Sequence, residues 1–404
     1  MLVLVLPLYA QLGLERAFDY ANLGGAVGGI DFRVYYLTSE LFLKGQNFYD
    51  PSLQIQAMRQ HQLPVDDTIY LYPPLFPLLF LPFTYWPIEQ AARVWYFVNL
   101  GLYLSALIVS LSALRFELRD PLTPCLMILG LLFVPALFNL YKGQVNALLL
   151  LLLVVAYVAL LRGRPLATGV GVALAAWIKG VPALLFLLFL RKSHWKIIAA
   201  GIVATFGITF LLLLLMGPPP FQGFFDQALP SLAHPEPNPS NLSLRGFLSL
   251  LLTENAYADP LLVSPTLWSM ASVLLSAALS ASLFLASRRT ADERTQSIEV
   301  GLAISLMPLV APIGWLDLYT LAVFPLLVLV REWKEGRLGA LRGVLALSSF
   351  LMLSNPRVVD LLTQLGLVLP LRHPLLIGLP LFGGLVIWAL LVSLVLESRS
   401  AHPD

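Results

Sequence analysis

Apolar runs close to twenty residues long recur along the whole of this 404-residue chain, and no other feature restricts its fold so tightly. A helix rises about 1.5 Å per residue, so a run of that length crosses a bilayer core of about 30 Å. In lipid every backbone polar group needs a partner within the protein, which leaves helices and closed barrels. Continuous apolar runs without alternation are helices. Charged residues make up 12% of the chain and hydrophobic ones 58%, whereas a soluble domain carries about 25% charged residues. The expected fold class is an all-α polytopic membrane protein, with residues 1–404 forming a single integral membrane domain.

The runs fall at 1–13, 71–88, 92–114, 122–140, 145–161, 166–190, 195–216, 263–287, 297–313, 315–330, 338–354 and 374–396, which predicts about 12 membrane segments. Residues 1–13 are short for a span. The 71–88 run carries Pro73, Pro74, Pro77, Pro82 and Pro87, and reads as a kinked span or a re-entrant segment. Two polar stretches interrupt the series, a first loop over 14–70 and a second over 217–262; residues 263–404 supply the C-terminal helices. The first loop contains GGIDFRVYYLTSELFLKGQNFYDP, residues 28–51. Asp31 opens a short amphipathic helix there, with Phe32, Tyr36, Ser39 and Leu43 on one face and Asp31 and Tyr35 one turn apart on the adjacent face. Lys44 falls in its last turn and Gly45 at its C-cap. The expected helix lies flat at a membrane surface. Asp is a preferred N-cap residue, and a cap by itself accounts for Asp31.

Lysine and arginine set the orientation. Arg191, Lys192 and Lys196 form one cluster, Arg288, Arg289 and Arg294 a second, and Arg331, Lys334 and Arg337 a third. Placing all three in the cytoplasm makes 297–330 a hairpin with its tip near Trp315 outside, and puts both polar loops outside. Simple counting then leaves Arg162 and Arg164 on the wrong side. A re-entrant 71–88 together with a break of 166–190 at Lys179–Pro182 corrects this.

Composition also excludes several classes. The net charge of +2, without a basic block, gives no basis for nucleic-acid binding. A single cysteine, Cys125, rules out an internal disulfide and a thiolate metal site. The five histidines are scattered, no metal-binding pair occurs, and no phosphate-binding glycine loop appears. No metal and no cofactor are expected.

Against this background five polar clusters stand out. The first runs from Asp31 to Asp50. YLYPPLF (70–76) suits a helix start at the interface, with Tyr70 and Tyr72 in the aromatic belt. NLYKGQVN (139–146) reads as a turn between spans, although Gln144 and Asn146 are more polar than a turn requires. Lys179, in ALAAWIKGVPALLFL, is central in a 25-residue apolar run. A lysine there costs about 2.5–3.5 kcal/mol on insertion, and a functional role is the default. The last cluster pairs PSNLSLRG (239–246) with APIGWLDLY (311–319). Asp317 either lines a polar cavity or sits in water, and Asn241-Leu242-Ser243 matches a glycosylation sequon that often arises by chance.

In their order, IDFRVYY…GQNFYDP, YLYPPLF, KGQVN, WIKGVP, NLSLRG and PIGW resemble glycosyltransferase family 87. This is the polyprenol-phosphate-mannose-dependent group of the GT-C superfamily, which includes mycobacterial phosphatidylinositol-mannoside mannosyltransferases. The resemblance covers residues 28 to about 320. It implies a GT-C-like bundle with a catalytic base in the first external loop, at Asp31. The chain departs from the family pattern at Ala311, where serine is usual, and at Leu316-Asp317, where a histidine is usual.

The chemistry that the resemblance implies is inverting transfer of a hexose, mannose above all, from a polyprenyl-phosphate donor to a lipid or glycan hydroxyl. The reaction belongs on the outer face of the cytoplasmic membrane. One carboxylate acts as base on the attacking hydroxyl, and a cation meets the charge on the departing phosphate. With no DxD motif, Lys179 is favoured for that task; Arg245, Lys44 and Lys142 are further candidates. Tyr35, Tyr36, Tyr49 and Trp315 are placed to stack on sugar faces or to pack at the interface. Asp50, Tyr72, Gln144, Asn146, Asn241 and Asp317 complete the expected substrate-binding set. The competing class is a lipid or solute transporter, which also explains Lys179 and the proline-broken runs. The lack of evident inverted repeats and the concentration of polarity in loops count against it.

Overall fold

The computed structural model describes residues 29–65, 70–288, 292–354 and 377–401. The expected first segment at 1–13, and the start of the last at 374–376, lie outside these. Among the described residues the secondary structure is helical apart from one isolated bridge, Asn241 with Trp315. In chain order the main helices are α1 (Ile30–Leu43), α2 (Pro51–Gln60), α3 (Phe76–Phe80), α4 (Ile88–Ala113), α5 (Leu122–Leu131), α6 (Val134–Lys142), α7 (Asn146–Leu161) and α8 (Pro165–Ile178). They continue with α9 (Leu185–Arg191), α10 (Trp195–Met216), α11 (Leu244–Leu252), α12 (Pro265–Ala286), α13 (Glu293–Val310), α14 (Val323–Lys334), α15 (Ala340–Ser354) and α16 (Leu379–Ala401).

Four of these, α4, α10, α12 and α16, are long and apolar enough to cross a membrane. The pair α5–α6, bent by 42°, makes a fifth if it is one span. The chain is an all-helical membrane protein. Several of the expected segments differ from simple spans: α7 and α15 are shorter apolar helices, the 315–330 run opens as a 3-10 segment, Leu316–Ala322, and the 71–88 and 166–190 runs are broken. The 71–88 run holds only α3 and a 3-10 turn, Leu81–Tyr85, before Pro87 starts α4. Ten residues of helix cover about 15 Å, too little to cross, and the pair packs on α1 instead.

The 166–190 run breaks at Lys179, whose backbone is extended (φ −142°, ψ 133°). After Gly180, a 3-10 turn over Val181–Leu184 leads into α9. Gly169 near the start of α8 abuts Ile197 and Gly201 near the start of α10, and Gly201 in turn meets Phe186. The chain therefore runs inward to Lys179 and returns, and Arg164 stands at the same end as Arg191 and Lys196. This removes the conflict over Arg162 and Arg164.

The three basic clusters converge at that end. Lys192 and the backbone of Arg288 share the buried carboxylate of Glu299 (2.7 Å each), Arg191 donates to the Ser287 carbonyl (3.2 Å), and Arg294 forks onto Glu332 (2.5 and 2.9 Å). Helices α9, α12 and α14 terminate there. The loops before α9, between α6 and α7, and between α13 and α14 all lie at the opposite end.

Helix α1 is at that opposite end, and it departs from the expectation of one apolar face on a membrane surface. Residues 32–39 are all buried, because the proline-rich 70–85 stretch folds back over it. Phe32 and Tyr35 pack on Phe80 (6.1 and 4.9 Å between ring centroids), and Phe80 packs on Trp95 (4.8 Å). The C-terminus falls one residue earlier than the sequence reading, with Lys44 rather than Gly45 at the cap and Gly45 just beyond it at φ +67°. At the other end Gly29 (φ +29°) brings α1 against the C-terminus of α6; a Cβ there would lie 2.1 Å from the Lys142 carbonyl oxygen.

Candidate active site

That close approach sets Asp31 beside Lys142. The N-cap of α1 is Gly29, with no side-chain capping bond, and Asp31 is one residue inside the helix. Its carboxylate is not the cap that the sequence allowed. Burial raises its pKa from the usual carboxylate value to about 6, against the opposing pull of Lys142; Asp317 adds to the rise, while Lys179 and Gln144 lower it. Asp31 nonetheless remains half-buried rather than sealed. A carboxylate that is reachable and binds protons better than free Asp is suited to accept one.

Beneath Asp31 lies a continuous polar network. The Tyr35 hydroxyl donates to the Tyr72 hydroxyl (2.9 Å) and lies 3.0 Å from Gln144 Oε1. The Tyr72 hydroxyl donates to the same oxygen (3.1 Å). Lys179 Nζ reaches Gln144 Oε1 (3.3 Å) and Asn146 Oδ1 (2.7 Å). Asn146 Nδ2 passes the chain on to Asp317 Oδ2 (2.9 Å), and Lys142 Nζ stands 3.4 Å from the other oxygen, Oδ1. Lys142 also lies over the Trp315 ring (5.1 Å) and Lys179 over the Tyr72 ring (5.6 Å). Two carboxylates and two ammonium groups thus share one site.

The site is layered. Asp31, Tyr72, Lys142, Lys179 and Trp315 are partly accessible, whereas Tyr35, Gln144, Asn146 and Asp317 are buried under them. Two atoms of the lower layer, Gln144 Nε2 and Asp317 Oδ1, have no hydrogen bond. Asp317 Oδ1 instead faces Lys142 as an ion pair at 3.4 Å. The Gln144 side chain faces Asp31, whose pKa it lowers.

Distant parts of the chain meet here for local reasons. Helix α6 stops at Gly143, which is left-handed (φ 69°, ψ 28°), and the turn to α7 presents Gln144 and Asn146. The break after α8 presents Lys179, with Pro182 preventing a continuous ladder. The loop before the 3-10 segment Leu316–Ala322 presents Trp315 and Asp317. It is latched by Asn241, whose Oδ1 accepts from Gly314 N and Ser243 Oγ (2.9 Å each). Asn241 is buried in this role, which accounts for it without any sugar attached to its sequon.

The remaining expected residues lie elsewhere. Tyr36 donates to the Trp86 carbonyl (3.0 Å) and Tyr49 to the Tyr72 carbonyl (2.7 Å), so Tyr49 steadies the strip carrying Tyr72. Lys44 pairs with Glu40 (2.6 Å), about 20 Å along α1 from Asp31. Asp50 caps α2 through Ser52 N (2.8 Å), and the Ser52 bonds hold its carboxyl below the usual range. Arg245 donates to the Ala233 carbonyl and stacks on Trp268 (4.8 Å). Lys44, Asp50 and Arg245 are not brought into the network. Lys142, a secondary candidate by sequence, is central to it. Asn99 and Asn139 hold the Gly143–Asn146 turn; Asn139 opens the NLYKGQVN cluster but was given no role, and Asn99 was missed, its signal being a lone amide within the apolar run of α4.

Among the described residues no group of three His, Cys, Asp or Glu side chains is placed to hold a metal ion. A profile of glycosyltransferase family 87 matches residues 70–312. The polyprenol-phosphate-mannose-dependent alpha-(1-2)-phosphatidylinositol pentamannoside mannosyltransferase of Mycolicibacterium smegmatis is 26% identical over 350 residues, 85% of this chain and 77% of the relative. An alpha-(1->3)-arabinofuranosyltransferase of Mycobacterium tuberculosis is also 26% identical, over 50% of this chain and 44% of its own length. Among solved structures, ArnT from Cupriavidus metallidurans bound to undecaprenyl phosphate superposes with a TM-score of 0.42 at 15% identity, over 98% of this chain and 78% of that one. That likeness is too slight to bear on the site.

Proposed function

We propose, since the chain belongs to glycosyltransferase family 87, that it is an inverting hexosyltransferase, moving mannose from polyprenyl phosphate to a hydroxyl of a lipid or glycan. Asp31 is the general base. The reaction takes place on the outer face of the cytoplasmic membrane, in a GT-C-like bundle of about twelve segments. Support for the donor class comes from the family and from the mycobacterial mannosyltransferase. Support for the outer face comes from the basic clusters, which gather at the end away from the site.

The donor is a phosphodiester linking the sugar's anomeric carbon to the lipid. The acceptor oxygen attacks that carbon from the side opposite the phosphate, its proton passes to Asp31, and the bond between carbon and phosphate oxygen breaks. The electron pair leaves with the polyprenyl phosphate, which gains a negative charge. Lys179 and Lys142 are the cations that meet this charge, and a dianionic phosphate needs no general acid to depart. Asn146 and Gln144 hold Lys179, and Asp317 holds Lys142. Tyr72 and Trp315, on the accessible layer, offer faces for the sugar.

One observation carries the reading: an uncapped, partly accessible carboxylate with a pKa of about 6 beside two lysines in a shared network. The test is an assay of membranes containing the protein with labelled polyprenyl-phosphate-mannose, the corresponding arabinose lipid and a lipid extract. Label from the mannose donor passing into a new glycolipid with inverted anomeric configuration is expected. Transfer from the arabinose donor alone would replace the sugar assignment. Labelled donor crossing the bilayer unchanged, with no transfer, would establish the transporter instead.

A further inference from the structure

The geometry assigns Asn99 and Asn139 a positioning role: acting through the Gly143–Asn146 turn, they fix where Lys179 stands. The inference rests on the reading of Lys179 as the cation at the departing phosphate. Asn99 lies in the apolar part of α4, beyond Glu89 and Arg93 in its first turns, and is 0% exposed; Asn139, in α6, is 1% exposed. Their amides make one clasp. Asn99 Nδ2 donates to the Gln144 carbonyl (2.6 Å), Asn139 Nδ2 donates to Asn99 Oδ1 (3.3 Å), and Asn139 Oδ1 accepts from the Asn146 backbone N–H (3.0 Å). One turn before Asn99 on the same face of α4, Trp95 Nε1 donates to the Gly143 carbonyl (2.7 Å).

The backbone of the turn is thus gripped at Gly143, Gln144 and Asn146. The side chains of the last two are the ones that accept from Lys179 Nζ. No hydrogen bond links either clasp asparagine to Lys179, so their influence runs through the turn. A turn between spans does not need such a device. This one already carries its own bonds, Gly143 N to the Leu140 carbonyl (3.1 Å) and Gln144 N to the Asn139 carbonyl (2.9 Å). Interhelical hydrogen bonds within a membrane contribute only modestly to stability, little beside the burial of the surrounding helices. Their greater effect is on where Lys179 stands: a displacement of about 1 Å at a catalytic group lowers a rate by about 10²-fold.

The test is a double-mutant cycle on the purified full-length protein, with polyprenyl-phosphate-mannose as donor. Asn99→Leu and Asn139→Leu are made singly and in a Lys179→Met background. Each single change is expected to lower kcat about 10- to 100-fold, with donor KM within a few-fold and a fall in melting temperature that leaves the protein folded at the assay temperature. In the Lys179→Met background neither should lower kcat further, because the group they position is gone. Losses that multiply, or an unchanged kcat in the single variants, would overturn the assignment. If the leucine variants do not fold, Asn99→Ser and Asn139→Ser take their place, their side chains being too short to complete the clasp. Failure of both series to fold would make the pair structural and likewise overturn it. Full kcat in Lys179→Met alone would remove the underlying reading of Lys179. An impaired Lys179→Met beside unimpaired asparagine variants would remove only the clasp.

Discussion

Replacing Lys179 by methionine separates a catalytic lysine from a structural one, and the structure sets the expected size of both effects. Methionine keeps the length and most of the volume. Removing the ammonium relieves a burial cost of at most about 2.5–3.5 kcal/mol, the value for a helix centre, because Lys179 is partly accessible at a break in the chain. The loss falls on the two acceptors. Gln144 Oε1 keeps Tyr35 and Tyr72 as partners, whereas Asn146 Oδ1 loses its bond to Lys179 (2.7 Å). A buried acceptor left alone costs about 1–3 kcal/mol. The two terms nearly offset, so the variant is expected to be as stable as wild type or slightly more so. Catalysis is expected to fall about 10²–10³-fold in kcat, the usual effect of removing one preorganised group from a developing anion. The assay pairs steady-state turnover of labelled polyprenyl-phosphate-mannose with thermal unfolding in one detergent at a fixed scan rate. Unchanged turnover with a clearly lower melting temperature would refute the argument and leave Lys179 as a partner for Asn146.

The pH dependence follows from Asp31, whose carboxyl must be ionised to accept a proton. With its pKa near 6, kcat/KM should decline as pH falls below about 6. The folded value lies above the ordinary one, so protonating Asp31 favours the fold; stability should rise, not fall, as pH drops through about 6. Because Lys179 lowers the Asp31 pKa, the acid limb of residual activity in Lys179→Met should move to higher pH; an unmoved limb would separate the two residues. Gly29→Ala puts a side chain at φ +29° against the Lys142 carbonyl, and should reduce activity more than Gly45→Ala, which meets open space; equal effects would deny the close approach. For sidedness, Gln60→Cys and Gln222→Cys in a Cys125→Ala background should react with an impermeant thiol reagent outside intact cells. Lys196→Cys and Glu335→Cys should not. Labelling of Gln60→Cys and Gln222→Cys from opposite sides would contradict the placement of both loops on one face.

Where burial penalises a charge, the sequence was legible. Lys179 stood out because a lysine amid 25 apolar residues demands a reason, and the structure gives it two hydrogen-bonded partners. Gln144 and Asn146 stood out only as more polar than a turn between spans requires. Loops impose no such penalty, so Lys44, Asp50 and Arg245 looked no different from site residues until their local partners were visible: Glu40, Ser52 and the Ala233 carbonyl. The pairing of Lys142 with Asp317 joins residues far apart in sequence and depends on a tertiary turn that no local pattern announces. Asn99 escaped notice because one neutral amide barely disturbs an apolar run. The burial of α1 escaped because its own residues predict an apolar face, and the prolines of a different segment cover the rest. The break at Lys179–Pro182 was visible as a weak point; that the chain returns on itself there depends on Gly169 and Gly201 allowing helices to approach closely.

The central claim is that Asp31 takes the acceptor's proton, and the turnover number of Asp31→Asn tests it most directly. Asparagine preserves the shape, and Asp31 is not the N-cap of α1, which is Gly29. The purified variant should therefore fold like wild type. Without a group able to accept the proton, its kcat with polyprenyl-phosphate-mannose should drop by about 10²–10⁴. A folded Asp31→Asn that turns over at close to the wild-type rate would contradict the account and move the base to another carboxylate.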